Sequence, residues 1–165
     1  PQTDGPQPAL AALARLLDQL PPSGLTIAFR AKGSPLQLGT GQQLAVYRIV
    51  QEALTNALRH GDVKKEVTVR FEWGTDDLTV TIFSGLTASP ATAELRLGHG
   101  LAGMKERAAL AGGTLSTRAD DEQFVVTARI PATASASATP MTAAVTRVKA
   151  PTGAARAGAA PGATP

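Results

Sequence analysis

The stretch AVYRIVQEALTNALRHG, residues 45–61, decides how the rest of the chain is read. Val46, Ile49, Val50, Ala53, Leu54 and Ala57 recur at the three- and four-residue spacing of one helical face. This predicts a helix over 43–60, and "GDVKK" then turns the chain. Beside the apolar side, Glu52, Asn56 and His60 stand four residues apart and form a slowly drifting polar stripe. A carboxylate and an amide oxygen one turn apart can hold a hard cation such as Mg²⁺, which takes oxygen ligands and keeps waters or phosphates. Such a carboxylate can also orient or deprotonate a nucleophile. Yet the same spacing arises on any solvated amphipathic helix, and a histidine near a helix C-terminus can simply complement the dipole. The helix alone therefore does not decide the function.

A second stretch narrows it. Gly98, Gly100 and Gly103 spell G-x-G-x-x-G, with Asp120 about 20 residues on, as in a dinucleotide fingerprint. That fingerprint needs a strand running into the glycines inside a parallel βαβ unit. Here a loop of Ala, Thr, Ser and Pro precedes them, and two strands in a hairpin follow, so the dinucleotide reading is set aside. What remains is physical: glycines at the N-terminus of a predicted helix over 101–111 let backbone N–H groups approach phosphate oxygens. A purely structural loop is the bland alternative.

Outward from these two stretches the elements alternate. "PALAALARLLDQL" (8–20) has leucines at helical spacing, and "PPSG" stops it. "LTIAFRA" (25–31) reads as a strand, and "KGSPLQLGTGQQ" as a loop. "EVTVRFEW" (66–73) and "LTVTIF" (78–83) read as a hairpin around "GTDD". Residues 84–97 read as a loop. "TLSTR" (114–118) and "QFVVTARI" (123–130) form a second hairpin, and Pro131 is expected to end the domain. The predicted fold is α+β: a mixed, mostly antiparallel sheet covered by helices on one face.

Composition sets further bounds. The chain has 165 residues, no cysteine and 4% aromatic residues. A disulfide framework and thiolate metal sites are excluded, and Val, Leu and Ile must supply most of the packing. No apolar run is long enough for a transmembrane helix and no secretory signal opens the sequence. With Pro1 first, the chain reads as a fragment or a processed product. The net charge of +3 is local: residues 1–131 hold 13 Lys+Arg and 13 Asp+Glu, and Arg147, Lys149 and Arg156 supply the excess. They lie in an Ala/Thr/Pro/Gly-rich segment, 132–165, with few large apolar groups to offset its ordering entropy, so it is expected to be a disordered tail. Residues 1–7 are expected to be a disordered stub. The basic pI thus describes a tail and gives no support to nucleic-acid binding.

Together, "YRIVQEALTNALRH" (47–60), "GHGLAGMKERAALAGGTL" (98–115) and "FVVTARIP" (124–131) resemble sensor histidine kinases, particularly the nitrate-sensor-like branch common in actinobacteria. The motifs occur in that family's order and cover about residues 8–131. The resemblance implies the two-layer ATP-binding (Bergerat) fold shared with type II topoisomerases, the Hsp90 chaperone and MutL. It implies ATP and Mg²⁺ as ligands. Asn56 would ligate the metal, with Glu52 one turn earlier helping the metal or the reacting groups. Arg59 or His60 would reach towards phosphate. Gly98 and Gly100, flanking His99, would be hinge glycines of an ATP lid that 86–97 resembles. Backbone N–H groups near Leu101 and Ala102 would meet the phosphates. Ser84, before Gly85, stands where the family places Asp or Asn to accept the adenine amino group, and a hydroxyl accepts more weakly than a carboxylate.

The family's phosphoacceptor histidine sits on a dimerisation helix, and the only histidines here, His60 and His99, lie inside the nucleotide motifs. The resemblance therefore implies the catalytic half of a kinase, monomeric by itself and cytoplasmic, with no membrane contact from this segment. It would pass the γ-phosphoryl group to a histidine-bearing dimerisation domain and thence to a response regulator. Two alternatives are a degenerate interaction module with weak or no ATP binding, and an anti-sigma-factor-like serine kinase.

Overall fold

β-Branched and aromatic residues alternate with polar ones in β2, Val67–Trp73, where Val67, Val69 and Phe71 are buried and Thr68, Arg70 and Glu72 are not. That alternation gives a sheet with one covered face. The computed structural model describes residues 14–16, 18–20, 23–87, 89–133 and 141–149. The predicted stub over 1–7, and the first part of the 8–20 helix, lie outside these residues. Residues 14–16 and 18–19 are helical, with Leu16 and Leu20 buried.

The other elements are β1 (Thr26–Gly33), α1 (Thr40–His60), β3 (Asp77–Gly85), α2 (Pro90–Leu110), β4 (Thr114–Ala119), β5 (Gln123–Pro131) and β6 (Met141–Lys149). The strands form one sheet in the order β4-β5-β3-β2-β1-β6. β1 pairs with β2 in parallel, and every other neighbouring pair is antiparallel. α1 supplies the crossover that a parallel pair requires. Register stacks the apolar rows: Phe29 beside Val69, Val69 beside Ile82, Ile82 beside Val126. Onto this face α1 lays Val46, Ile49, Val50, Ala53, Leu54 and Ala57, and α2 adds Leu101, Met104 and Ala108. The expected mixed, mostly antiparallel α+β architecture is what the chain adopts.

Three local expectations need correction. First, α2 begins at Pro90, not at 101. Ser89 caps it, its hydroxyl accepting the Thr92 N–H, and Pro90 sits in the first turn, where its missing N–H costs nothing. The Pro read as a loop marker is a helix start. Second, residues 141–149 of the expected disordered tail form β6, antiparallel to β1. Its gain comes from backbone hydrogen bonds along an otherwise open strand edge. Arg147 also donates to Glu66 at 3.0 Å, an exposed pair worth about 0–1 kcal/mol. Third, Pro131 ends β5 but not the ordered chain: Thr133 forms a bridge with Gln37.

The β4–β5 hairpin turns on Asp120. Its carboxylate accepts the backbone N–H groups of Glu122 (3.0 Å) and Gln123 (2.7 Å). These bonds, that to Glu122 first, hold its pKa below the usual value. A carboxyl with a lowered folded-state pKa contributes stability above its unfolded pKa and loses it as pH falls through the folded one. Asp120→Ala is therefore expected to lower Tm by a constant amount at neutral pH. The gap to wild type should close as pH falls below the carboxylate range, as thermal unfolding followed by circular dichroism would show. A gap independent of pH would remove this role from the carboxylate.

Candidate functional site

The C-terminus of α1 is tied to the end of β3. The Asp62 N–H donates to the Gly85 carbonyl at 3.0 Å, Gly61 bridges Leu86, and the Thr87 hydroxyl donates to the His60 carbonyl at 3.2 Å. Gly61 is required by this approach, since a Cβ there would lie 2.6 Å from the Ala57 carbonyl oxygen and 3.0 Å from that of Gly85. The junction brings Asn56 and His60 of the helix beside Ser84 and Gly85 of the strand.

Between them lies a narrow cavity of about 20 Å³, room for about one water, that opens to solvent. Ala53, Asn56, His60 and Gly61 form the α1 wall; Ile82 and Ser84 of β3 and Phe124 and Val126 of β5 form the sheet side; Ala93 comes from α2. The walls are mostly apolar, with a few polar groups at defined places, as small-molecule sites usually are. Asn56 Nδ2 is buried and has no hydrogen-bond partner. A buried unsatisfied amide costs about 1–3 kcal/mol. In a folded protein such an atom calls for a ligand or a functional reason.

Glu52 lies one turn earlier on α1, against Gly100 of α2. A Cβ at Gly100 would lie 2.7 Å from the Glu52 carboxylate and 3.3 Å from Asn56 Nδ2. Glu52, Asn56 and Gly100 therefore converge. Gly98, Gly100 and Gly103 lie inside α2, however, rather than at a helix N-terminus. The anion cradle expected from backbone N–H groups near Leu101 and Ala102 is thus not formed: Leu101 is buried in the core, and Ala102 and His99 are exposed. Arg59 is exposed and does not line the cavity.

The profile of the histidine kinase-, DNA gyrase B- and HSP90-like ATPases matches residues 41–134, more than half of the chain. The chain belongs to this ATPase family.

Relatives within the family include two sensor histidine kinases of Bacillus subtilis. LnrJ is 35% identical over 107 residues, 64% of this chain and 26% of its own length. YxjM is 38% identical over 109 residues, 65% of this chain and 26% of its own. The chain spans about a quarter of the length of these relatives. Among solved structures, ShkA has a TM-score of 0.62 at 16% identity, over 80% of this chain and 32% of that one. The mycobacterial sensor histidine kinase MprB has a TM-score of 0.58 at 20% identity, over 77% of this chain and 96% of that one. At these identities the likeness is one of fold.

Within the family fold, Asn56, His60, Ser84 and Gly85 share the cavity, and Glu52 and Gly100 adjoin it. Sequence reading missed Ala93, because 84–97 read as a loop, although Ser89-Pro90 was a readable helix start. The sheet side contributes Ile82, Phe124 and Val126. No helix among the described residues is long and apolar enough to cross a membrane.

Proposed function

We propose that this chain is the ATP-binding catalytic domain of a sensor histidine kinase. It binds Mg·ATP and passes the γ-phosphoryl group to a histidine on a dimerisation helix of the same or a partner kinase, for delivery to a response regulator in the cytoplasm. The observation that carries this reading is the orphaned Asn56 amide beside Glu52, next to an apolar cavity of a family ATPase fold. A structure of similar fold, that of ShkA, is a complex with AMPPNP.

The residues fit the metal. Rotation of the Asn56 amide offers either its nitrogen or its oxygen to the same point, and Glu52 adds a carboxylate. Among the described residues no group of three or more His, Asp or Glu gathers to hold an ion. That suits Mg²⁺ held by one or two side chains together with phosphates and waters. When bound, the ion supplies charge neutralisation for phosphoryl transfer. The chain's own residues bind and orient: Ile82, Phe124 and Val126 give a flat ring an apolar bed, and Asn56 and Glu52 fix the triphosphate end. Room for that end requires α2 to move off Glu52 and Asn56. Three glycines within residues 98–103 weaken that part of the helix by roughly 1 kcal/mol each. Gly98 and Gly100 are then the hinges of the lid.

The test is titration with a fluorescent ATP analogue, with and without Mg²⁺. Saturable binding that weakens at least about tenfold without Mg²⁺ is expected, given what metal-site perturbations typically cost. Absence of binding up to millimolar nucleotide, in a protein folded by circular dichroism, would leave the second reading, a degenerate interaction module. Ser84 at the place of a carboxylate is the observation that favours that alternative.

A further inference from the structure

The sheet floor of the cavity consists of Ile82 and Ser84 on β3 and Phe124 and Val126 on β5. In register, Ile82 faces Val126 and Ser84 faces Phe124. Ser84 is the one polar side chain this floor offers. Asn56 and His60 belong to the α1 wall, and no Asp or Glu lines the cavity among the described residues. A planar base lying on Ile82, Phe124 and Val126 therefore presents its edge to a hydroxyl and to no carboxylate. Ser84 is half-buried, and its hydroxyl reaches only the Phe124 carbonyl, at 3.5 Å. That is the long limit of a hydrogen bond, so the proton is free to turn to a ligand.

A hydroxyl is both donor and acceptor. An amino group at position 6 of a purine donates to Ser84 Oγ. A keto group at the same position accepts from Ser84 O–H. A carboxylate could only accept, and would repel the keto oxygen. Rejection of a near-identical ligand requires such an unpaired or repulsive contact, and here there is none. We infer that this site binds 6-amino and 6-keto purine nucleoside triphosphates alike, and that Ser84 is the residue that leaves the choice open. The inference rests on the nucleotide-binding reading above and adds the class of base.

The experiment is displacement of the fluorescent ATP analogue by ATP and by inosine triphosphate, in Mg²⁺, from wild type and Ser84→Asp. Inosine triphosphate exchanges the 6-amino group for a keto group without the 2-amino group of guanine. For wild type the two affinities are expected to agree within about fivefold. In Ser84→Asp the preference for ATP should rise to about 30-fold or more through loss of the keto nucleotide, within the range that polar mismatch supplies. Should the buried carboxylate prevent folding, Ser84→Ala serves: both nucleotides should weaken together, by roughly three- to tenfold. A wild-type preference for ATP above about 30-fold, an unchanged ratio in Ser84→Asp, or a loss confined to one nucleotide in Ser84→Ala would overturn the inference and leave ATP binding standing. Failure of wild type to bind the ATP analogue at all would overturn the nucleotide reading and this inference with it.

Discussion

Asn56→Ala is expected to lose Mg²⁺-dependent ATP binding by on the order of 100-fold and to remain at least as stable as wild type. The two effects have opposite signs because the same atom serves both. Asn56 Nδ2 is buried without a partner in the ligand-free fold, so the amide is a net cost, about 1–3 kcal/mol for an unsatisfied buried donor. Alanine removes that cost and is the better helix former in the last quarter of α1, by roughly half a kcal/mol. With nucleotide present, the amide would gain its partners, and a binding site pays for such groups only by using them. Isothermal titration in Mg²⁺ and thermal unfolding of the same sample are the paired measurements. Lost binding with an unchanged or raised Tm marks Asn56 as a ligand-facing group. A fall in both would make it a structural residue and would move the metal role elsewhere.

Phe29→Ala is expected to cost about 3–5 kcal/mol, the usual range for a buried aromatic truncated to alanine. Phe29 is 2% exposed at the middle of β1. Its ring meets Phe71 edge-on, with centroids 5.1 Å apart, a geometry worth about 0.5–1.5 kcal/mol beyond the area buried. Set against a total stability of roughly 5–15 kcal/mol for a domain, the truncation is the largest single loss foreseen. Chemical denaturation of the two proteins would measure it, and a loss below about 1 kcal/mol would refute the packing described for β1 and β2. Phe29 lines no part of the cavity. Nucleotide affinity of the variant, measured where it is still folded, should therefore match wild type.

The legible parts of this protein were those where one residue pattern serves one neighbour. The apolar face of α1 was readable because its buried residues repeat at helical spacing and six of them join one core. The β2–β3 hairpin was readable because alternation and a short Gly-containing turn leave one pairing, Val69 beside Ile82 and Phe71 beside Val80. Glu52 and Asn56 stood out because four-residue spacing puts them on one side of that helix.

The misreadings have physical causes of their own. Pro90 breaks a helix in its interior and favours one at its start, and composition does not tell the two apart without Ser89 capping the next turn. Residues 141–149 have little large apolar surface, which is why they read as a tail. A strand on a sheet edge is held by its backbone, and backbone bonding leaves no mark on side-chain composition. The resemblance offered Arg59 or His60 as the residue reaching towards phosphate; in the fold His60 lines the cavity, whereas Arg59 is exposed and does not.

By itself, then, the order of residues determined the α+β class, the face each helix and strand buries, and the helix that bears the polar stripe. All of these depend on periods of two and 3.6 residues within one element. The tertiary structure alone decided that the cavity lies between the end of α1 and the ends of β3 and β5. It also set Ser84 on the cavity floor, Gly100 against Glu52 and Asn56, and the last strand on β1. Those are contacts between residues tens of positions apart, and no local spacing encodes them.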